Sequence, residues 1–110
     1  MDNHFVKVND TQSLANLIAR SQTAPIIIFK HSTTCGVSSF AYREMQNMNE
    51  EVNLVEIQSA RAVSEEIERQ LGVPHESPQV IVLRRGKAVW NASHFQIKAP
   101  AVSAAVKNNS

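Results

Sequence analysis

The sequence predicts an α/β fold in which one mixed sheet of four or five strands carries helices on both faces. Three observations predict it. Ile26-Ile27-Ile28-Phe29 and Val80-Ile81-Val82-Leu83 are short, continuous apolar runs, the pattern of strands covered on both sides. Between and around them lie segments whose apolar residues recur at intervals of three and four, the spacing of amphipathic helices. Last, the turn-like Arg84-Arg85-Gly86-Lys87 joins the second run to Ala88-Val89-Trp90, so the closing pair of strands is an antiparallel hairpin. Alternation of this kind favours helices on both sides of a sheet. With no repeat, low-complexity tract or linker, residues 1–110 read as a single domain with one core.

Taken in order, a short edge strand is expected near residues 5–8. Leu14, Leu17 and Ile18 follow the cap candidates Asp10 and Thr11 and give a helix over about residues 11–21, with Pro25 outside it. The run from Ile26 is the central strand. After the polar loop His31-Ser32-Thr33-Thr34, residues Val37, Phe40, Ala41, Met45 and Met48 mark a second helix, with Thr34 as its cap and Cys35 at its first position. Residues 52–57 form the next strand. Val63, Ile67 and Leu71 place a third helix that ends at Gly72, with Pro74 as a stop signal beyond. After the hairpin a last helix starts at about Pro100 and uses Val102, Ala105 and Val106; Lys98 and Ala99 offer its first amides no acceptor. The tail Lys107-Asn108-Asn109-Ser110 is expected to fray. Thioredoxin topology fits this order, as do other small α/β sandwiches.

Composition narrows the function. The chain is 43% hydrophobic and 19% charged, an ordinary balance for a globular protein. Eleven basic and ten acidic residues give a net charge of +1, so no long-range field draws it to nucleic acid or an anionic membrane. Met1-Asp2-Asn3-His4-Phe5 lacks the basic cluster and apolar run of a secretory signal, and no apolar run is long enough to span a bilayer. A cytoplasmic location is expected. No Cys-x-x-Cys pair or paired-histidine spacing suggests a protein-only metal site.

Cys35 is the only cysteine, so an internal disulfide is excluded and it is either a packing residue or a reactive thiol. Its place between a strand, a polar loop and a helix start favours the reactive thiol. At a helix N-terminus, unpaired amides and the positive end of the dipole stabilise thiolate over thiol. Free cysteine titrates at about 8.5, and such settings lower that to roughly 3.5–7.5. Thiolate is the nucleophile of disulfide exchange. In Cys35-Gly36-Val37-Ser38 a serine stands where dithiol enzymes carry the resolving cysteine, so a second molecule must complete any exchange. A second marker is Glu76-Ser77-Pro78 ahead of the strand from Val80, where a turn or a cis peptide suits a proline that cannot donate to the ladder.

Three blocks, Phe29-Lys30-His31-Ser32-Thr33-Thr34-Cys35, His75-Glu76-Ser77-Pro78-Gln79-Val80 and Val89-Trp90-Asn91-Ala92-Ser93-His94-Phe95, together resemble the monothiol bacilliredoxins of the YtxJ-like group, a branch of the thioredoxin-like fold. That resemblance implies a thiol-disulfide oxidoreductase that removes bacillithiol, a low-molecular-weight cysteine-containing thiol, from protein mixed disulfides formed under oxidative stress. Cys35 would be the nucleophile. Thr34, Gly36 and Ser38, with local amides, would stabilise its thiolate. Ser77 and Pro78 would line the site through a cis-proline peptide and orient the incoming disulfide. Lys30 and His31 would meet bacillithiol carboxylates or help hold the thiolate, unless they form a solvated basic loop. His75 and His94 would touch ligand or site wall, with a structural hydrogen bond as the alternative; Trp90 reads as core or hairpin cover. Expected partners are bacillithiol and bacillithiolated client proteins. No tightly bound cofactor is expected, and the protein is expected to be a monomer, with a dimer left open.

The chain departs from the family's Thr-Cys-Pro-Ile-Ser pattern at Gly36 and Val37. Glycine loosens the first turn and restores an amide donor. The result resembles Cys-Gly-Phe-Ser of monothiol glutaredoxins, which suggests glutathione chemistry or a bridging iron-sulfur cluster, but Arg84-Arg85-Gly86-Lys87 stands where those proteins carry Gly-Gly-x-Asp. A non-catalytic stress or binding module whose cysteine is merely modified is the third reading.

Overall fold

The computed structural model describes residues 4–110. Chain order is β1 (Phe5–Lys7), α1 (Thr11–Arg20), β2 (Ile26–His31), α2 (Gly36–Gln46), β3 (Val52–Glu56), α3 (Arg61–Leu71), β4 (Gln79–Arg84), β5 (Lys87–Ser93) and α4 (Ala99–Asn108), with a 3-10 turn at His94–Gln96. The sheet runs β1-β3-β2-β4-β5. Its β1, β3 and β2 strands are parallel, whereas β4 is antiparallel to both β2 and β5. The run from Ile26 is therefore the central strand, as its unbroken apolar character requires.

Strand alternation divides the core between the two faces. Ile27 and Phe29 pack with Ala41 and Met45 of α2 and Val102 and Ala105 of α4. Ile26 and Ile28 pack with Leu14 and Leu17 of α1 and Val63 and Ile67 of α3. Phe29 and Ile28 are fully buried, and each such side chain contributes about 1.5–3 kcal/mol through apolar area removed from water.

Local rules set several boundaries where expected. Asp10 caps α1 by accepting the Ser13 amide at 2.7 Å. Gly72 closes α3 in the left-handed region at φ 69°, its amide donating to Glu68. The hairpin turns on Arg85 and Gly86 at φ 55° and 75°, the positive values that a two-residue hairpin turn demands. It is anchored at the end of α1, where the Arg84 guanidinium donates to the Ser21 and Gln22 carbonyls.

Three expectations change, those for β2, the cap of α2 and the tail, while that for α4 holds and is completed from α2. β2 runs two residues past Phe29, because Lys30 and His31 pair with Val55 and Glu56 of β3, so neither belongs to a solvated loop. The cap of α2 is Cys35, not Thr34, whose hydroxyl is engaged elsewhere. α4 begins at Ala99, and the missing acceptor comes from α2: the Ala99 amide donates to Glu44 Oε1 at 2.9 Å. The tail does not fray, since α4 continues to Asn108 and Arg84 holds the Asn109 carbonyl at 2.9 Å.

Candidate thiol site

Where β2 ends, the chain turns through Ser32–Thr34 to Cys35, which is partly exposed and has extended backbone (φ −107°, ψ 127°) before Gly36 begins α2. At a cap position a side-chain acceptor meets the amides two and three residues on, here those of Val37 and Ser38. Cys35 makes no such cap bond. The residue, not its sulfur, therefore holds the cap position at the start of α2.

Ser38 and Gln58 hold the loop. Wholly buried, the Ser38 hydroxyl accepts the Ser32 amide at 2.9 Å and shares a 2.7 Å hydrogen bond with His31 Nδ1. From the β3–α3 loop, Gln58 donates to the hydroxyls of Ser32 (2.8 Å) and Thr34 (3.1 Å) and accepts the Thr33 amide (3.3 Å). The serine of the Cys-x-x-Ser motif thus ties the loop backbone at Ser32 to the imidazole of His31. Ser38→Ala should destabilise the fold by about 1–3 kcal/mol, the cost of leaving a buried amide and a buried imidazole nitrogen without partners. Urea denaturation would measure it, and a change within about 0.5 kcal/mol would contradict the role.

His31 and Lys30 take opposite faces of the sheet. His31 lies under α2, its ring 4.9 Å from Tyr42 and 5.4 Å from Phe29. Burial pushes its pKa below the usual 6.5, with the Glu56 carboxylate opposing. Lys30 faces α1 and α3, is 0% exposed, and its Nζ has no hydrogen-bond partner. Burial lowers its pKa to about 8, against the pull of Glu68 and Glu76.

The Ser77–Pro78 peptide is cis. Lys30 pairs with Gln79 across β2 and β4, so Pro78 comes opposite the end of β2, next to the start of the thiol loop. The Pro78 carbonyl accepts the His94 amide at 3.0 Å, and His94 Nε2 lies 3.3 Å from a Glu76 carboxylate oxygen. Ser77 Oγ is buried without a partner. His75 contacts Ser64 Oγ through Nδ1 at 3.3 Å, and burial followed by the Lys30 charge lowers its pKa. Trp90 partly covers the α2–α4 side of the core.

Gln58 and Phe95 lay outside the candidate set drawn from sequence. Gln58 reaches the loop because β3 runs parallel beside β2, so both strands end together. Phe95 is 61% exposed and packs edge-on against Phe40 of α2, whose ring also carries the Lys98 ammonium at 4.7 Å. Among the described residues no cluster of His, Cys, Asp or Glu could hold a metal ion, and no helix is long and apolar enough to cross a membrane.

One free cysteine at the cap position of the helix after the central strand of a thioredoxin fold is the arrangement expected of a monothiol thiol-disulfide oxidoreductase. The monothiol bacilliredoxin BrxC family matches residues 6–102, and the chain belongs to that family. Among solved structures it is similar to a thioredoxin-fold protein proposed to be an oxidoreductase, with 25% identity and a TM-score of 0.86 over 94% of this chain and 95% of that one. Thioredoxin from Fasciola hepatica matches at 12% identity and TM-score 0.74, covering 96% of this chain and 99% of its own. Mitochondrial thioredoxin 3 from Saccharomyces cerevisiae matches at 14% and 0.71, covering 96% of each. The two thioredoxins bear on the fold alone.

Proposed function

We propose that this enzyme removes bacillithiol from protein mixed disulfides in the cytoplasm, with Cys35 as the nucleophile. The observation that carries this is the lone, partly exposed Cys35 in the cap position of α2, in a chain of the monothiol bacilliredoxin family. The Cys35 thiolate attacks the bacillithiol sulfur of the mixed disulfide. A new sulfur–sulfur bond forms, the bond to the client cysteine breaks, and the client leaves as a thiolate that takes a proton from solvent. A second thiol, free bacillithiol or another thiol reductant, then attacks the adduct, restores the Cys35 thiolate and departs disulfide-bonded to the bacillithiol. Ser38 and Thr34 hold the loop that carries the sulfur, and Ser77-Pro78 orients the incoming disulfide. His31 supports the loop through Ser38. Clients dock as bacillithiolated proteins on a monomer, and no tightly bound cofactor takes part.

The test mixes reduced protein in parallel with the bacillithiol and glutathione mixed disulfides of one client and follows intact mass. Faster release from the bacillithiol form, with a bacillithiol adduct on Cys35, is the expected result. Preference for glutathione would replace this reading with glutaredoxin chemistry, and stoichiometric modification without turnover would leave only a binding module.

The family's proline at position 36 offers a second check. Gly36 is the first residue of α2, and a Cβ there would meet nothing within 4 Å. Gly36→Pro should therefore stabilise the fold by about 0.4–1 kcal/mol, since proline suits the first helical position and restricts the unfolded chain. The urea midpoint should rise accordingly. A fall in that midpoint would contradict the assignment of the helix start.

A further inference from the structure

A cleft of about 390 Å³ opens beside the thiol loop, lined by Gln58, Arg61, Ser64, Glu65, Glu68 and His75. It lies past the ends of parallel strands β2 and β3, the edge where open α/β sheets take ligands, and its volume falls within the usual range of about 300–1,000 Å³ for small-molecule sites. Gln58 joins it to the site, because the same side chain that lines the cleft bonds Thr34, the residue before Cys35. The cleft thus meets the thiol loop at Gln58, one residue short of the cysteine.

Lys30 supplies an independent observation. It lies on the sheet face covered by α3, fully buried, with Nζ lacking a partner; Glu68 and His75, which feel its charge, both line the cleft. Its cross-strand partner Gln79 has an orphaned Oε1, and Ser77 an orphaned Oγ. These three are the buried side-chain polar atoms without partners among the described residues. Such atoms require an explanation, and the one that bears on the cleft is Lys30, whose unneutralised charge stands behind the wall that Glu68 and His75 form.

The lining is chemically divided. Glu65 and Glu68 accept hydrogen bonds and suit hydroxyl donors, whereas Arg61 donates and suits a carboxylate, with the buried Lys30 charge behind the wall adding to the positive potential there. We propose that this cleft binds the hydroxyl-rich, carboxylate-bearing portion of the small thiol and is the element that selects bacillithiol over glutathione. Bacillithiol joins its cysteine to an amino sugar and malate, so it carries both groups; glutathione carries carboxylates but no hydroxyls. This assignment rests on the bacillithiol reading above.

The experiment compares second-order rate constants for bacillithiol and glutathione mixed disulfides of one client in the wild type, Arg61→Ala and Glu65→Gln. Each substitution should lower the bacillithiol preference by about tenfold, the loss expected when a charge-assisted hydrogen bond is removed. A wild type that exchanges both at one rate overturns the cosubstrate reading and this assignment together, whereas a preference that survives both substitutions overturns the cleft alone. If the variants fail to fold, titration of the wild type with S-methyl bacillithiol, followed by amide NMR shifts, decides the question. Shifts at Ser64, Glu65 and Glu68 support the cleft, and shifts confined to residues 32–38 and 77–78 overturn it.

Discussion

Cys35→Ala should reduce client release to the uncatalysed rate, and Cys35→Ser should do the same while making the protein more stable. The two effects have separate causes. Exchange needs a thiolate, and a serine hydroxyl does not ionise at neutral pH, so neither variant retains a nucleophile. The backbone at position 35 nevertheless has cap geometry without a cap hydrogen bond, and serine is among the best cap residues. Serine should therefore add about 1 kcal/mol over alanine. Intact-mass kinetics and urea denaturation on the same three proteins read both quantities. Retained exchange in either variant would remove Cys35 from the mechanism, and equal stability of the two variants would contradict the cap.

Lys30→Met should stabilise the protein at pH 7 by on the order of 3 kcal/mol, the equivalent of moving a lysine from 10.5 to about 8 at roughly 1.4 kcal/mol per unit. The pH dependence gives the sharper test. Because the folded-state pKa is depressed, the unfolded chain holds the proton more tightly, so the penalty is fully present below pH 8 and disappears as pH rises from 8 through 10.5. The gap between variant and wild type should thus be largest at pH 7 and close by about pH 11. A gap equal at both pH values would mean that the gain comes from packing rather than from the buried ammonium. The same substitution should slow exchange with bacillithiol, since an unpartnered charge kept in a core at this cost is the mark of a group retained for function.

How much could be seen in advance depended on the range of the interactions involved. Asp10, Gly72 and the Arg85-Gly86 turn obey rules that involve a few neighbouring residues, so the boundaries they set were readable. The two apolar runs marked the strands that lie side by side at the centre of the sheet. The cysteine between strand and helix and the Ser77-Pro78 segment were legible as the two parts of a candidate site, and the fold brings them to neighbouring strand ends. What escaped was non-local. Lys30 and His31 look like loop residues because the apolar pattern stops at Phe29, yet the partner strands continue and draw them into the sheet. Thr34 has the chemistry of a cap, but Gln58, 24 residues later, claims its hydroxyl and the cap moves on by one residue. Nothing near Lys98 indicates that Glu44 will satisfy the first amide of α4.

That bond from Glu44 has a consequence for how the molecule comes apart. α4 has no cap of its own, so its first turn is completed only while the last turns of α2 are wound. Unwinding the end of α2 therefore leaves the first amide of α4 without its acceptor, which couples the C-terminal helix to the helix that presents the thiol.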